Sequence, residues 1–118
     1  MRILIVEDED LAVRKLQKML LAIDPELTIS GITDSIRTTL EWLQNNPQPD
    51  LVLMDIELSD GQSFEILKKA DISCPVIFTT SYDESAVRSF NLSEKEYLLK
   101  PIQKEELSAL LSKYRQGA

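Results

Sequence analysis

Short, uncharged β-branched runs alternate with longer stretches in which apolar residues recur at helical spacing. Ile3 to Val6 reads as a strand covered on both faces, the mark of a central parallel strand. Ala12, Leu16, Met19, Leu20 and Ile23 then line one face of a helix that Pro25 stops. Leu27, Ile29 and, past Gly31, Ile32 are separated by Thr28 and Ser30, which predicts a less buried strand near a sheet edge. Asp34 or Ser35 caps a second helix carrying Ile36, Leu40 and Leu43, which ends at the NNPQP breaker. Leu51 to Met54 is a third strand, and Asp60 and Gly61 are expected to open a short helix with Phe64 and Leu67 inward. Cys74-Pro75 leads into a fourth strand, Val76 to Phe78, and a helix follows over roughly Asp83 to Asn91. Glu96 to Leu99 is the fifth strand. After Pro101 a last helix places Leu107, Leu110, Leu111 and Tyr114 on one face.

Five such β-α units predict an α/β fold, a doubly wound five-stranded parallel sheet with helices on both faces. The 118 residues, 43% hydrophobic, suffice for one core, and the expectation is one domain over 1–118. Twenty acidic against 13 basic residues give a net charge of −7, which disfavours direct contact with nucleic acid or an anionic membrane. No apolar run reaches bilayer length, a lone Cys74 forms no internal disulfide, and the acidic start is unlike a signal peptide. A cytoplasmic protein is therefore expected. The absence of histidine excludes a Ser-His-Asp triad, a Cys-His pair and a histidine-ligated zinc.

Open parallel sheets bind ligands beyond the carboxyl ends of their strands, so the residues just after each strand matter most. Glu7 and Asp8 follow the first strand, Asp55 ends the third, Thr80 and Ser81 follow the fourth, and Lys100-Pro101 follows the fifth. Three carboxylates held close repel one another unless a cation joins them, and a hard divalent ion such as Mg²⁺ prefers such oxygen ligands. Asp8 and Asp55 suit that role directly, Glu7 through a bound water, and the Glu57 carbonyl as a further ligand. No G-x-x-x-x-G-K loop is present, so the phosphoryl group is expected on a protein carboxylate rather than a nucleotide.

The fragments ILIVEDED, PDLVLMDIEL, PVIFTTSYD and EYLLKPI, in that order, resemble the receiver domains of two-component response regulators over essentially the whole chain. VIFTTSYDESAVRSF with EYLLKPI is most similar to receivers of the LytR and AlgR (LytTR) class. The resemblance implies a flavodoxin-like sheet of order 2-1-3-4-5 with five helices, and a phosphoacceptor switch rather than a conventional enzyme. It implies that Asp55 accepts phosphate from a sensor histidine kinase, that Glu7 and Asp8 hold magnesium, and that Lys100 contacts the phosphoryl oxygens. It also implies that the Thr80 hydroxyl and the Tyr97 ring move together. A separate carboxyl-terminal DNA-binding output domain is implied beyond Ala118, and homodimerisation through the face of the fourth helix, fifth strand and fifth helix.

Ser59 stands where that family often has proline, and Ser63 where it often has glycine, which softens the loop geometry beside the metal site. Thr79 and Ser81 are neighbouring alternatives for the hydroxyl. Tyr97 and Phe90 read equally as packing residues, Trp42 as a partly buried helix-face residue, and Cys74 as an inert strand-entry residue. A haloacid-type phosphohydrolase would want an acid two residues after its aspartate, a place Glu57 fills formally, together with a larger cap. A pseudo-receiver that binds partners without phosphorylation would not need the complete set of acids, hydroxyl and lysine.

Overall fold

In the computed structural model, which describes residues 1–89 and 96–116, the β-branched runs lie side by side in one sheet. Its strands are β1 (Arg2–Val6), β2 (Thr28–Thr33), β3 (Leu51–Asp55), β6 (Val76–Thr80) and β7 (Glu96–Leu99). They run parallel in the order β2-β1-β3-β6-β7, the expected 2-1-3-4-5 once a small hairpin, β4 (Glu57–Leu58) and β5 (Gly61–Gln62), is set aside. Every residue of β3 and β6 is buried, as are Ile3 to Val6, whereas β2 and β7 at the edges are partly exposed. Parallel strands with helices on both faces hide both sets of side chains, which is why these runs lack polar alternation.

Successive strand residues point to opposite faces and so feed two apolar clusters. Ile3, Ile5, Leu51, Leu53, Ile77 and Leu98 pack with Val13, Leu16 and Leu20 of α1 (Asp10–Ile23) and Leu107 and Leu111 of α5 (Lys104–Gln116). Leu4, Val6, Val52, Met54 and Phe78 pack on the other face with Ile36 of α2 (Ile36–Asn45) and Ile66 of α3 (Phe64–Lys69). Phe64 meets Phe78 edge-on, with ring centres 5.3 Å apart. α4 covers Glu84–Ser89; the remainder of the predicted helix to Asn91, and Phe90 with it, lies outside the described residues. Trp42 is half-buried, as expected, and its indole lies over Gly31 of β2. Cys74 is half-buried, and burial pushes its thiol pKa up, in keeping with an unreactive residue.

Ser35, one of the two expected caps, closes α2: its hydroxyl accepts from the Thr38 N–H at 3.0 Å, and Thr38 reaches back to the Ser35 N–H. The third helix does not open at Asp60 and Gly61. Asp60 lies in the turn between β4 and β5, Gly61 is the first residue of β5, and α3 begins only at Phe64. Gly61 has φ of +136°, a conformation that side chains with Cβ rarely adopt. Asp60 instead accepts from the N–H groups of Ile36 at 2.8 Å and Arg37 at 3.2 Å, capping α2 from across the chain.

The Ile36 amide holds the Asp60 carboxyl below the usual aspartate range. A depressed carboxyl pKa contributes stability in full above the unfolded value and loses it as pH falls through the folded value. Asp60→Ala should therefore lower the thermal midpoint by a few degrees at neutral pH, with the gap closing in acid. Equal midpoints in neutral thermal scans would show that Ser35 alone caps α2.

Candidate functional site

Because the strands are parallel, their carboxyl ends deliver Glu7, Asp8, Asp55, Thr80 and Lys100 to one edge of the sheet. Carboxylate oxygens of Glu7, Asp8 and Asp55 lie within 4.8 Å of one another, the arrangement expected from the sequence. Glu7 and Asp55 are 5% and 6% exposed, while Asp8 faces solvent. Lys100 spans the two buried acids, donating from Nζ to Glu7 Oε1 at 2.6 Å and to Asp55 Oδ2 at 2.9 Å. The Lys100–Pro101 peptide is cis.

The electrostatics follow from this crowding. Burial raises the Asp8 pKa first, and a hydrogen bond and charge repulsion from Glu7 raise it further. For Lys100, burial pulls downward, but the bonds to Glu7 and Asp55 outweigh it and the net shift is upward. Three anionic groups against one ammonium leave an excess of hard oxygen donors, a set that fits a divalent cation of the magnesium type.

Thr80 is the last residue of β6 rather than a residue beyond a strand ending at Phe78, because the strand continues through Thr79 and Thr80. It is fully buried. Its carbonyl accepts from the Lys100 N–H at 2.7 Å and its hydroxyl from the Tyr82 N–H at 3.0 Å. The alternative, Thr79, lines the space between α1 and the Pro101–Ile102 segment, and Ser81 is exposed. Glu57 lies just past Asp55, and its N–H donates to Asp55 Oδ1 at 3.1 Å. Tyr97 is half-buried against the Phe78 cluster.

Two features of this edge escape a reading of the sequence. The Glu57 side chain accepts a hydrogen bond from the Tyr82 hydroxyl, a contact between the β4–β5 hairpin and the loop after β6. Lys100 holds Glu7 as well as Asp55. The position of Tyr82, two residues beyond Thr80 on the loaded rim, is the one signal that could have drawn attention to it.

Residues 3–112 match the family described as response regulator receiver domain. Sensory transduction protein LytT of Bacillus anthracis is 39% identical over 98% of this chain and 47% of its own length. Transcriptional regulatory protein LytR of Staphylococcus aureus is 31% identical over 98% of this chain and 47% of its length. The chain thus spans about half the length of these curated relatives. The crystal structure of the response regulatory domain of protein mrkE from Klebsiella pneumoniae superposes with a TM-score of 0.82 at 28% identity, covering 99% of this chain and 97% of that one. Fold, sequence and the arrangement of its strand ends agree: the chain belongs to the response regulator receiver domain family.

Proposed function

We propose that Asp55 is the phosphoacceptor of a magnesium-dependent signalling switch, charged by the phosphohistidine of a sensor kinase. The observation that carries this reading is the gathering of Glu7, Asp8 and Asp55 within 4.8 Å, with Lys100 bonded into the group. When bound, Mg²⁺ would be held by Asp8, Asp55, Glu7 through water and the Glu57 carbonyl, and would neutralise charge on phosphoryl oxygens.

An Asp55 carboxylate oxygen attacks phosphorus as the bond to the donor nitrogen breaks, and the electron pair leaves with the imidazole. Lys100 faces the oxygens on which charge accumulates, and the β4–β5 hairpin fixes one Asp55 oxygen through the Glu57 N–H. Hydrolysis of the resulting acyl phosphate by water resets the switch. The chain thus catalyses its own phosphorylation and dephosphorylation without turning over a free substrate.

The acyl phosphate adds a dianionic group able to draw the Thr80 hydroxyl into a new hydrogen bond. Moving a two-state element from 1:99 to 99:1 takes about 5.5 kcal/mol, more than the roughly 1.5 to 3 kcal/mol of one charge-assisted bond. Thr80, burial of Tyr97 and a partner interface therefore act together. The interface is the α4–β7–α5 face, through which two copies pair, and the output is a DNA-binding domain acting in the cytoplasm. The relatives called transcriptional regulators, about twice this length, support that output.

Uptake of phosphate from acetyl phosphate tests the reading. The natural chain should take up about one phosphoryl group per molecule only with magnesium, and Asp55→Asn none. Equal uptake by the two would remove the proposal.

A further inference from the structure

Tyr82 has no part in the chemistry above, yet it joins the two loops that flank Asp55. Its hydroxyl donates to the Glu57 carboxylate on β4, and its main-chain N–H donates to Thr80 Oγ1 at 3.0 Å. Glu57 gives its own N–H to Asp55 Oδ1 at 3.1 Å. A chain of hydrogen bonds therefore runs from Asp55 through Glu57 and Tyr82 to Thr80. The bond between Glu57 and Tyr82 lies at the surface, but each partner is anchored. Tyr82 is packed against the Phe78 cluster, and the hairpin carrying Glu57 is moored to α2 by Asp60.

We propose that Tyr82 and Glu57 form a resting-state latch that holds the Thr80 hydroxyl in place until Asp55 is phosphorylated. The latch rests on the phosphoacceptor reading and adds a regulatory contact to it. Thr80 Oγ1 cannot swing toward a group on Asp55 and keep accepting from the Tyr82 N–H unless residues 81 and 82 move with it. That movement draws the phenol away from Glu57. A phosphoryl dianion on Asp55 also repels the Glu57 carboxylate, so the arriving charge loosens the same bond from its other end. A phenol stays protonated throughout the neutral range, so the Tyr82 hydroxyl remains the donor to Glu57. One charge-assisted hydrogen bond between an exposed carboxylate and a half-buried tyrosine should shift the resting-to-active ratio by about tenfold.

The test follows the Thr80 methyl resonance by NMR in the isotope-labelled natural chain, Tyr82→Phe, Glu57→Ala, their double variant and Glu57→Gln. Magnesium and beryllofluoride, a phosphoryl mimic, are then titrated in. Without the mimic, the Tyr82→Phe resonance should lie part of the way toward the mimic-bound position, and its half-saturating beryllofluoride should fall about tenfold. Glu57→Ala should give the same mimic-free position and the double variant no further movement. Glu57→Gln, whose amide oxygen still accepts from the phenol, should remain at the natural position. Resonances of Tyr82→Phe and Glu57→Ala at the natural position would overturn the latch, as would additive movement in the double variant. A natural chain that neither binds beryllofluoride nor takes up phosphate would sink the phosphoacceptor reading and the latch with it. Normal binding with Tyr82→Phe unchanged would remove the latch alone.

Discussion

Lys100→Met should destabilise the protein by about 3 kcal/mol in metal-free buffer and slow phosphate uptake by about 100-fold. The ammonium bridges Glu7 and Asp55, whose side chains are 5% and 9% exposed, so its removal leaves two buried carboxylates facing each other beside Asp8. Removing one partner of a buried ion pair costs roughly 3 to 5 kcal/mol, and the 21% exposure of Lys100 places this case at the lower end. The sign with pH is fixed by the raised lysine pKa. Its contribution is complete below the unfolded lysine value and disappears only as pH rises through the higher folded value, so the full loss is measurable at neutral pH. Urea unfolding in the presence of chelator provides the measurement, and a loss under about 1 kcal/mol would show that solvent already screens the acids. Adding Asp55→Asn to Lys100→Met should recover part of the loss, because it removes one of the opposed charges.

Gly31→Ala should cost about 2 kcal/mol, within the roughly 1 to 3 kcal/mol typical of overpacking. A Cβ at position 31 would lie 2.4 Å from Trp42 Nε1 and 2.7 Å from Cε2, inside any permitted contact. The cost is steric, and the half-buried indole can yield by moving outward. Trp42 is the sole tryptophan, so its emission should shift to the red in step with a lower unfolding midpoint. Trp42→Leu in the same chain should restore most of the stability. An unchanged midpoint and unchanged emission would mean that β2 and α2 separate at no cost.

Central strands were legible because burial on both faces demands uninterrupted runs such as Leu51 to Met54, and the acids beyond them were legible as interruptions. The end of β6 is obscured in the sequence since threonine suits a strand as readily as a turn, and here Thr79 and Thr80 pair with Leu98 and Leu99. The hairpin was hidden for a different reason. Two-residue strands show no periodicity, and an aspartate before glycine looks like a local helix cap, whereas Asp60 caps a helix 24 positions earlier at Ile36. The bonds of Lys100 to Glu7, 93 residues away, and of Tyr82 to Glu57, 25 away, depend on how loops meet and leave no periodic trace.

The burial of every residue of β3 up to and including Asp55 separates anchoring from reactivity within one strand. Exchanging Leu51, Val52 or Leu53 for residues of like size alters how firmly the rod is gripped without moving its tip. Lengthening the rod by a single residue is a different matter. It would advance the carboxylate by about 3.3 Å and turn it to the opposite side of the sheet, out of reach of the lysine. The spacing between the apolar run and its terminal acid is thus a ruler, and the chain tolerates exchange along its length far better than any change in the count.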